Sequence, residues 1–233
     1  MNLSVPEIYR HISFKLPMRR LDHLFPGILR SPAQLSASLI QRKDFWPLPI
    51  LELLTLGAIC QQFRPRRIFE IGTYRGASTL TMAMNTPPET QIWTLDLAPE
   101  MQSTHVHGLG VGVPNFPVGE LYRDTSYESR IHQLYGNSQV LDFSPYYGSM
   151  DLVLIDADHT YEFVKTDTEV ALKLLKPGGM ILWDDYLWIE QFPECAGVTR
   201  CLDELSTTLP CFQIAETRLA MHLNGFPLHG QGV

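Results

Sequence analysis

The sequence has no apolar run of the roughly 18 residues that a membrane-spanning helix needs. Its most apolar stretch, around Pro49–Ala58, is interrupted by Glu52. Residues Met1–Pro17 also lack the unbroken apolar core of an export signal, so a cytoplasmic protein with no membrane partner is expected. Cysteine is scarce: Cys60, Cys195, Cys201 and Cys211 form no C-x-x-C pair and no zinc spacing. They read as free thiols of a reducing compartment. Positive charge is also short. Eighteen Lys+Arg against 25 Asp+Glu leave a net charge of −7, which argues against a nucleic-acid groove. The balance is uneven, +6 over residues 1–75 and −13 over the remainder. A basic N-terminal part could meet an anionic substrate or an acidic partner, or lie solvated on the surface. His105 and His107 have no Cys or carboxylate spaced to complete a metal shell, and read as loop residues.

What is present is enough apolar material for a core. Of 233 residues, 45% are hydrophobic and 18% charged, the balance of one large folded domain with a small annex. Prolines and Gly27 punctuate residues 1–45, so only short helices fit there. We therefore expect an N-terminal helical annex over 1–48, a substrate lid or an interface of a homodimer, followed by a main domain over 49–233. Ile50, Leu53, Leu54 and Ala58 recur with helical spacing, giving a helix over 49–63. Strands are expected at 67–71, 91–96, 131–135, 151–156 and 180–183. Helices are expected at 78–85 and 161–176, the latter ended by Pro177-Gly178-Gly179, and two closing strands at 212–214 and 219–222. Short apolar strands alternating with helices imply an α/β fold, a Rossmann-like doubly wound and mostly parallel sheet with a closing antiparallel strand. Residues 98–130, rich in Gly and Pro, read as a long loop, either functional or disordered.

The segment Glu70-Ile71-Gly72-Thr73-Tyr74-Arg75-Gly76-Ala77-Ser78 follows the first of these strands and opens a helix. Ligands of open α/β sheets bind at this kind of turn. A dinucleotide site needs G-x-G-x-x-G, its second glycine admitting a pyrophosphate. Here that position is Tyr74 and the third is Ala77, so a pyrophosphate would meet a side chain. Asp96, closing the next strand, can accept two hydrogen bonds from a ribose diol, and Glu70 could meet an amino group. The pair suits a nucleoside that carries an amino acid.

On these residues the sequence resembles the class I S-adenosylmethionine-dependent methyltransferases. Glu70–Ser78 is similar, without a gap, to the motif of catechol-type and caffeoyl-CoA-type O-methyltransferases, and Gly136-Asn137-Ser138-Gln139 resembles their adenine loop. Ile68–Tyr186, about half of the chain, resembles small bacterial methyltransferases related to macrolide sugar O-methyltransferases and cephalosporin hydroxylase-like proteins. The resemblance implies a cofactor site of Glu70, Gly72, Thr73, Tyr74, Gly76, Ser78, Asp96, Asn137, Ser138, Gln139 and Asp156. Within it the methionine part would meet Glu70, Gly72 and Ser78, the ribose Asp96, and the adenine Ser138 and Gln139.

A second constellation is acidic. Asp156-Ala157-Asp158-His159 ends the fourth strand and Asp184-Asp185 the fifth. Neighbouring strands lie about 4.8 Å apart, so these carboxylates can converge, and converged acids need a counter-charge. Oxygen donors suit Mg²⁺, Ca²⁺ or Mn²⁺. The resemblance implies the same: metal-dependent O-methyltransferases carry acids at the positions of Asp156, Asp184 and Asp185. Their catalytic Lys, three residues after the first acid, is His159 here, and a His there could take a proton near neutral pH. Asp156 and His159 are the expected catalytic residues. Asp158 reads as the cap of the following helix, and Tyr161 and Val164 as core.

The expected activity is methyl transfer from S-adenosylmethionine to a hydroxyl of a small molecule (a sugar, phenol or natural product), assisted by Mg²⁺ or a similar ion. The alternatives are a non-catalytic cofactor-binding protein and a nicotinamide-dependent oxidoreductase. Phe45, Trp46, Phe116, Tyr122, Trp183, Tyr186 and Trp188 lie where an acceptor pocket would form, although aromatics also fill cores.

Overall fold

The computed structural model describes residues 16–39, 48–98, 116–187 and 195–225. Eight strands form one sheet in the order β1-β7-β8-β6-β5-β2-β3-β4. They are β1 (Met18–Arg19), β2 (Arg67–Ile71), β3 (Gln91–Asp96), β4 (Ile131–Tyr135), β5 (Met150–Ile155), β6 (Leu175–Trp183), β7 (Cys211–Ile214) and β8 (Ala220–Leu223). From β6 to β4 every pairing is parallel. β8 runs antiparallel between β6 and β7, and β1 adds a short parallel edge. The helices are α1 (Leu21–Leu24), α2 (Ile50–Phe63), α3 (Ala77–Met84), α4 (Tyr161–Leu174) and α5 (Ala196–Leu205). This is the doubly wound α/β architecture the sequence implied.

Successive strand residues point to opposite faces, and both faces here are apolar. Ile68, Leu152, Leu154, Met180 and Leu182 pack toward α2, α3 and the segment holding Phe25, Ile28 and Leu39. Phe69, Ile71, Val153, Ile155, Ile181 and Trp183 pack toward α4 and α5. Each such side chain contributes about 1.5–3 kcal/mol through burial, so the register that buries both rows is strongly fixed. The four cysteines are buried free thiols. No helix among the described residues is long and apolar enough to cross a membrane.

Three local expectations need correcting. α4 stops at Leu174 rather than 176, and β6 begins at Leu175, well ahead of Met180. Pro177-Gly178-Gly179 does not separate helix from strand but sits inside β6 as an irregularity. Met150 pairs with Leu175 and Leu152 with Met180, so the intervening residues bulge out of the ladder. Tyr122, Trp183 and Tyr186 are buried among the described residues and are not part of the cavity described below. All three are at most 2% exposed, and the Trp183 Nε1–H donates to Thr168 Oγ1 (2.9 Å). Phe45, Trp46, Trp188, His105 and His107 lie outside the described residues, as does 99–115 of the expected loop; its remainder, 116–130, is a series of turns ending in a 3-10 turn at Glu128–Arg130.

Candidate active site

The site forms where β2, β3, β4, β5 and β6 end together. Backbone bonds carry the sheet one step past its strands: Gly72 N donates to Leu95 O (2.8 Å), Gly136 N to Asp96 O (2.9 Å), Asp156 N to Ile71 O (2.9 Å) and Asp184 N to Ile155 O (3.0 Å). Ile155 pairs with Trp183, so Asp156 and Asp184 leave neighbouring strands side by side. Gly72 has φ +104°, and a Cβ there would stand 1.8 Å from the Asp156 carbonyl oxygen. Only glycine lets these two strand ends close up.

A cavity of about 270 Å³ opens over these ends. Ile71, Gly72, Tyr74, Leu95, Asp96, Leu97, Gly136, Asn137, Ser138, Asp156, Ala157, Asp158 and Phe163 line it. Of the expected cofactor residues it therefore gathers Gly72, Tyr74, Asp96, Asn137, Ser138 and Asp156. It leaves Glu70, Thr73, Gly76, Ser78 and Gln139 out of the lining, and these shape it from behind. Glu70 is fully buried, and its carboxylate accepts the hydroxyls of Ser78, Thr79 and Thr94, each at 2.5 Å. Burial pushes its carboxyl up to about 7 against the pull of those hydroxyls. Glu70 thus fastens α3 to the sheet beneath the glycine turn. Asp96 Oδ2 accepts the N–H groups of Thr73 (3.1 Å) and Tyr74 (2.6 Å), and Oδ1 that of Leu97 (2.7 Å), pinning the turn to β3. Gly76, also at positive φ, packs against Tyr122. Gln139 N donates to Asn137 Oδ1 (2.9 Å) and shapes the loop. Tyr74, at the position a pyrophosphate would need empty, meets Phe116 edge-on at 4.8 Å.

The acidic residues converge as expected. Ligand oxygens of Asp156, Asp184 and Asp185 lie within 4.8 Å of one another. Burial and the facing charges of Asp184 and Asp185 hold the Asp156 carboxyl well above its usual range, and burial with Asp185 does the same to Asp184. His159 Nε2 stands 2.7 Å from Asp185 Oδ2. Burial alone would depress this ring, but the hydrogen bond and charge of Asp185, with Asp156 and Asp158, raise its pKa above the ordinary value. The Cys195 thiol lies 4.0 Å from the same oxygen. Asp158 Oδ1 accepts the Thr160 N–H (2.8 Å), tying the turn ahead of α4 rather than bonding into its first turn. Val164 is core as expected, at 2% exposure, whereas Tyr161 is half-buried and donates its hydroxyl to Glu204 (2.6 Å).

Two participants were missed from the sequence, Arg218 and Glu52. The Arg218 guanidinium reaches Glu52 Oε1 (3.3 Å), Asp184 Oδ2 (3.3 Å) and Asp185 Oδ1 (3.1 Å). Its backbone N–H donates to Glu52 Oε1 as well (2.9 Å). An available signal was Glu52 itself, an acid inside an otherwise apolar helical run and only 4% exposed.

An open sheet with a glycine turn, a pinned acid on the next strand and a cavity across their ends defines the nucleoside-binding class of Rossmann-like methyltransferase folds. Residues 69–186 match the family described as "Methyltransferase domain", and the chain belongs to that family. It is 26% identical over 138 residues to a caffeoyl-CoA O-methyltransferase of Stellaria longipes, covering 57% of this chain and 51% of that protein. A flavonoid 3',5'-methyltransferase of Vitis vinifera is 24% identical, with 64% and 60% covered. The chain thus spans little more than half the length of the curated relatives it matches. Among solved structures, an O-methyltransferase from Bacillus cereus in complex with SAH superimposes with a TM-score of 0.58 at 19% identity, covering 88% of this chain and 92% of that one. The O-methyltransferase TomG from Streptomyces achromogenes, solved with SAM, gives 0.58 at 18% identity, with 86% and 90% covered. These likenesses are of fold.

Proposed function

We propose that the protein transfers a methyl group from S-adenosylmethionine to a hydroxyl of a small molecule, with a divalent cation at the acidic cluster. The observation that carries this reading is the cavity joining Gly72, Tyr74, Asp96 and Ser138 to Asp156, which brings a nucleoside pocket against the convergent acids. The family membership and the O-methyltransferase relatives support it. A nicotinamide cofactor is disfavoured by Tyr74, and a purely binding role leaves the buried acids and His159 without a purpose.

In this reading Asp96 holds the ribose, and Asn137 and Ser138 face the adenine while Gln139 keeps their loop in shape. Gly72 and the Tyr74 backbone border the methionine part, with Glu70, Thr73, Gly76 and Ser78 holding the turn in place. The residues do this by proximity, keeping an acceptor oxygen in line with the sulfonium methyl. The acceptor binds beyond Asp156, on the side of the acids.

The donor set fits a hard divalent ion: three carboxylates converge, and Asp184 Oδ1 is buried and accepts no hydrogen bond among the described residues. When bound, such an ion supplies positive charge that lowers the pKa of an acceptor hydroxyl. Asp156, Asp184 and Asp185 would hold it. His159, with Nε2 2.7 Å from Asp185 Oδ2, receives the hydroxyl proton at Nδ1 as the carbon–oxygen bond forms and the carbon–sulfur bond breaks. Residues 1–48 are proposed to lie over the acceptor or at an interface between two copies. Isothermal titration tests the core of the proposal. S-adenosylmethionine and its demethylated product should bind at roughly micromolar strength, about −8 kcal/mol, and NAD should not. Tight NAD binding without a response to S-adenosylmethionine overturns it.

A further inference from the structure

Arg218 sits in the turn between β7 and β8 and, among the described residues, its guanidinium contacts both members of the acid pair, where His159 reaches Asp185 alone. It is held from both sides of its own chain. Its N–H is bound by Glu52 on α2, and its carbonyl accepts the Tyr186 N–H (3.0 Å) from the segment that follows Asp185. The side chain is 16% exposed, and its guanidinium is shared among carboxylates of α2 and of the end of β6. A guanidinium keeps its charge at any working pH and presents its donors in a rigid fork.

The division of oxygens is specific. Asp184 gives Oδ2 to Arg218, while its Oδ1 has no hydrogen-bond partner among the described residues. Asp185 has Oδ1 3.1 Å from the Arg218 guanidinium and Oδ2 2.7 Å from His159 Nε2, ion-pair contacts in which Oδ1 accepts no hydrogen bond of good geometry among the described residues. Each aspartate therefore has one oxygen turned to a fixed cation. Any divalent ion drawing on the same pair must share its charge with the guanidinium and accept like-charge repulsion from it. Ligand charge count is what tunes the affinity of such sites.

We infer that Arg218 is a resident counter-cation: it holds Asp184 and Asp185 in position without metal and keeps the affinity of the acidic cluster for divalent ions low. This rests on the reading of Asp156, Asp184 and Asp185 as a divalent site. Arg218 is a positioning residue, acting through the two aspartates. Removing its charge frees both carboxylates and leaves Glu52, Asp184 and Asp185 without their common partner. The loss should then be answered by tighter capture of a dication.

The test uses the full chain and Mn²⁺, with free ion followed by electron paramagnetic resonance and thermal unfolding recorded with and without Mn²⁺. Arg218→Gln should bind Mn²⁺ at least tenfold more tightly than the unaltered protein. It should unfold at lower temperature without metal and recover more of that loss on adding Mn²⁺. Arg218→Lys, which keeps a charge but not the fork, should stay within about threefold of the unaltered protein. It also serves where Arg218→Gln does not fold, since tenfold tighter binding by Arg218→Lys contradicts a role for the charge. If the unaltered protein binds Mn²⁺ and Arg218→Gln binds equally or more weakly, the inference fails while the divalent site stands. If neither protein binds Mn²⁺, both fail.

Discussion

His159 Nε2 and Asp185 Oδ2 stand 2.7 Å apart, so the imidazole beside the acidic cluster faces one of the cluster's own members. With Nε2 facing that carboxylate, Nδ1 is the nitrogen left to take up a proton. His159→Ala should lower turnover by about 10²–10⁴ and change S-adenosylmethionine affinity by less than about threefold. Steady-state kinetics with calorimetry of the same protein would check this. Unchanged turnover would assign His159 to holding Asp185 alone.

Gly72 is the tightest point of the site. A methyl group there meets the Asp156 carbonyl at 1.8 Å, and a side chain is strained at φ +104°. Gly72→Ala must separate the ends of β2 and β5, and should cost about 2–4 kcal/mol of stability from overpacking and left-handed strain together. Because Asp156 moves with the carbonyl, cofactor binding should be lost even at temperatures where the variant stays folded. Urea unfolding and calorimetry would separate the two effects.

Asp96 joins the turn to the cavity. Asp96→Ala removes the acceptor of the Thr73 and Tyr74 N–H groups as well as the proposed ribose contact. S-adenosylmethionine and its product should both bind more weakly by about 1–3 kcal/mol, the scale of a lost charge-assisted hydrogen bond. Equal binding by the variant would place the ribose elsewhere.

The strands were legible because both faces of the sheet are apolar, so 67–71 and 151–155 stand out as continuous runs. The acids Asp156, Asp184 and Asp185 were legible because they directly follow such runs. The role of Glu70 was only half legible. Sequence placed it at the turn, but its three hydroxyl partners come from α3 and β3, and they turn it from a lining residue into a fastening one. Arg218 was not legible at all. Its partner Glu52 is 166 residues away, and no local pattern links a helix near the start of the main domain to a turn near its end. The bulge at Pro177-Gly178-Gly179 was hidden for the opposite reason: its residues carry a strong local stop signal that tertiary pairing with β5 overrides.

Asp167 gives the pH dependence. It lies on α4 one turn after Phe163, fully buried, and its oxygens form no hydrogen bond of good geometry among the described residues. Burial raises its carboxyl to about 6, opposed by the neighbouring Ser138 side chain. The folded chain therefore keeps a proton there that the unfolded chain has already lost between about pH 4 and 6. Stability from this group is full below the lower value and falls as pH rises through the upper one. Glu70, raised to about 7, adds a decline of the same sign that continues to higher pH. Asp167→Asn should raise stability at pH 7.5 by up to about 3 kcal/mol, the equivalent of two pKa units, and leave it nearly unchanged at pH 4. Urea midpoints at the two pH values would check this, and equal gains at both would mean that Asp167 is ionised throughout.

The acidic cluster makes the remaining prediction. Asp156 and Asp184 are each held above the usual carboxylate range by burial and by facing carboxylates, and Arg218 is shared with Glu52 as well as with Asp184 and Asp185. One guanidinium and the His159 ring face four acids, and the protons that burial and repulsion favour on Asp156 and Asp184 are ones a divalent cation would displace. Chelation should abolish methyl transfer, and Mg²⁺ should restore it. Asp185→Asn keeps the shape of the side chain but removes one charge, and should weaken divalent binding by tenfold or more. Binding of S-adenosylmethionine should persist in that variant, since its proposed contacts lie mainly on the ends of β2 and β3 and on the loop after β4, and Asp185 is not among them. Full activity in excess chelator would instead assign the three acids to hydrogen bonding, with Asp156 or Asp185 taking the acceptor's proton directly.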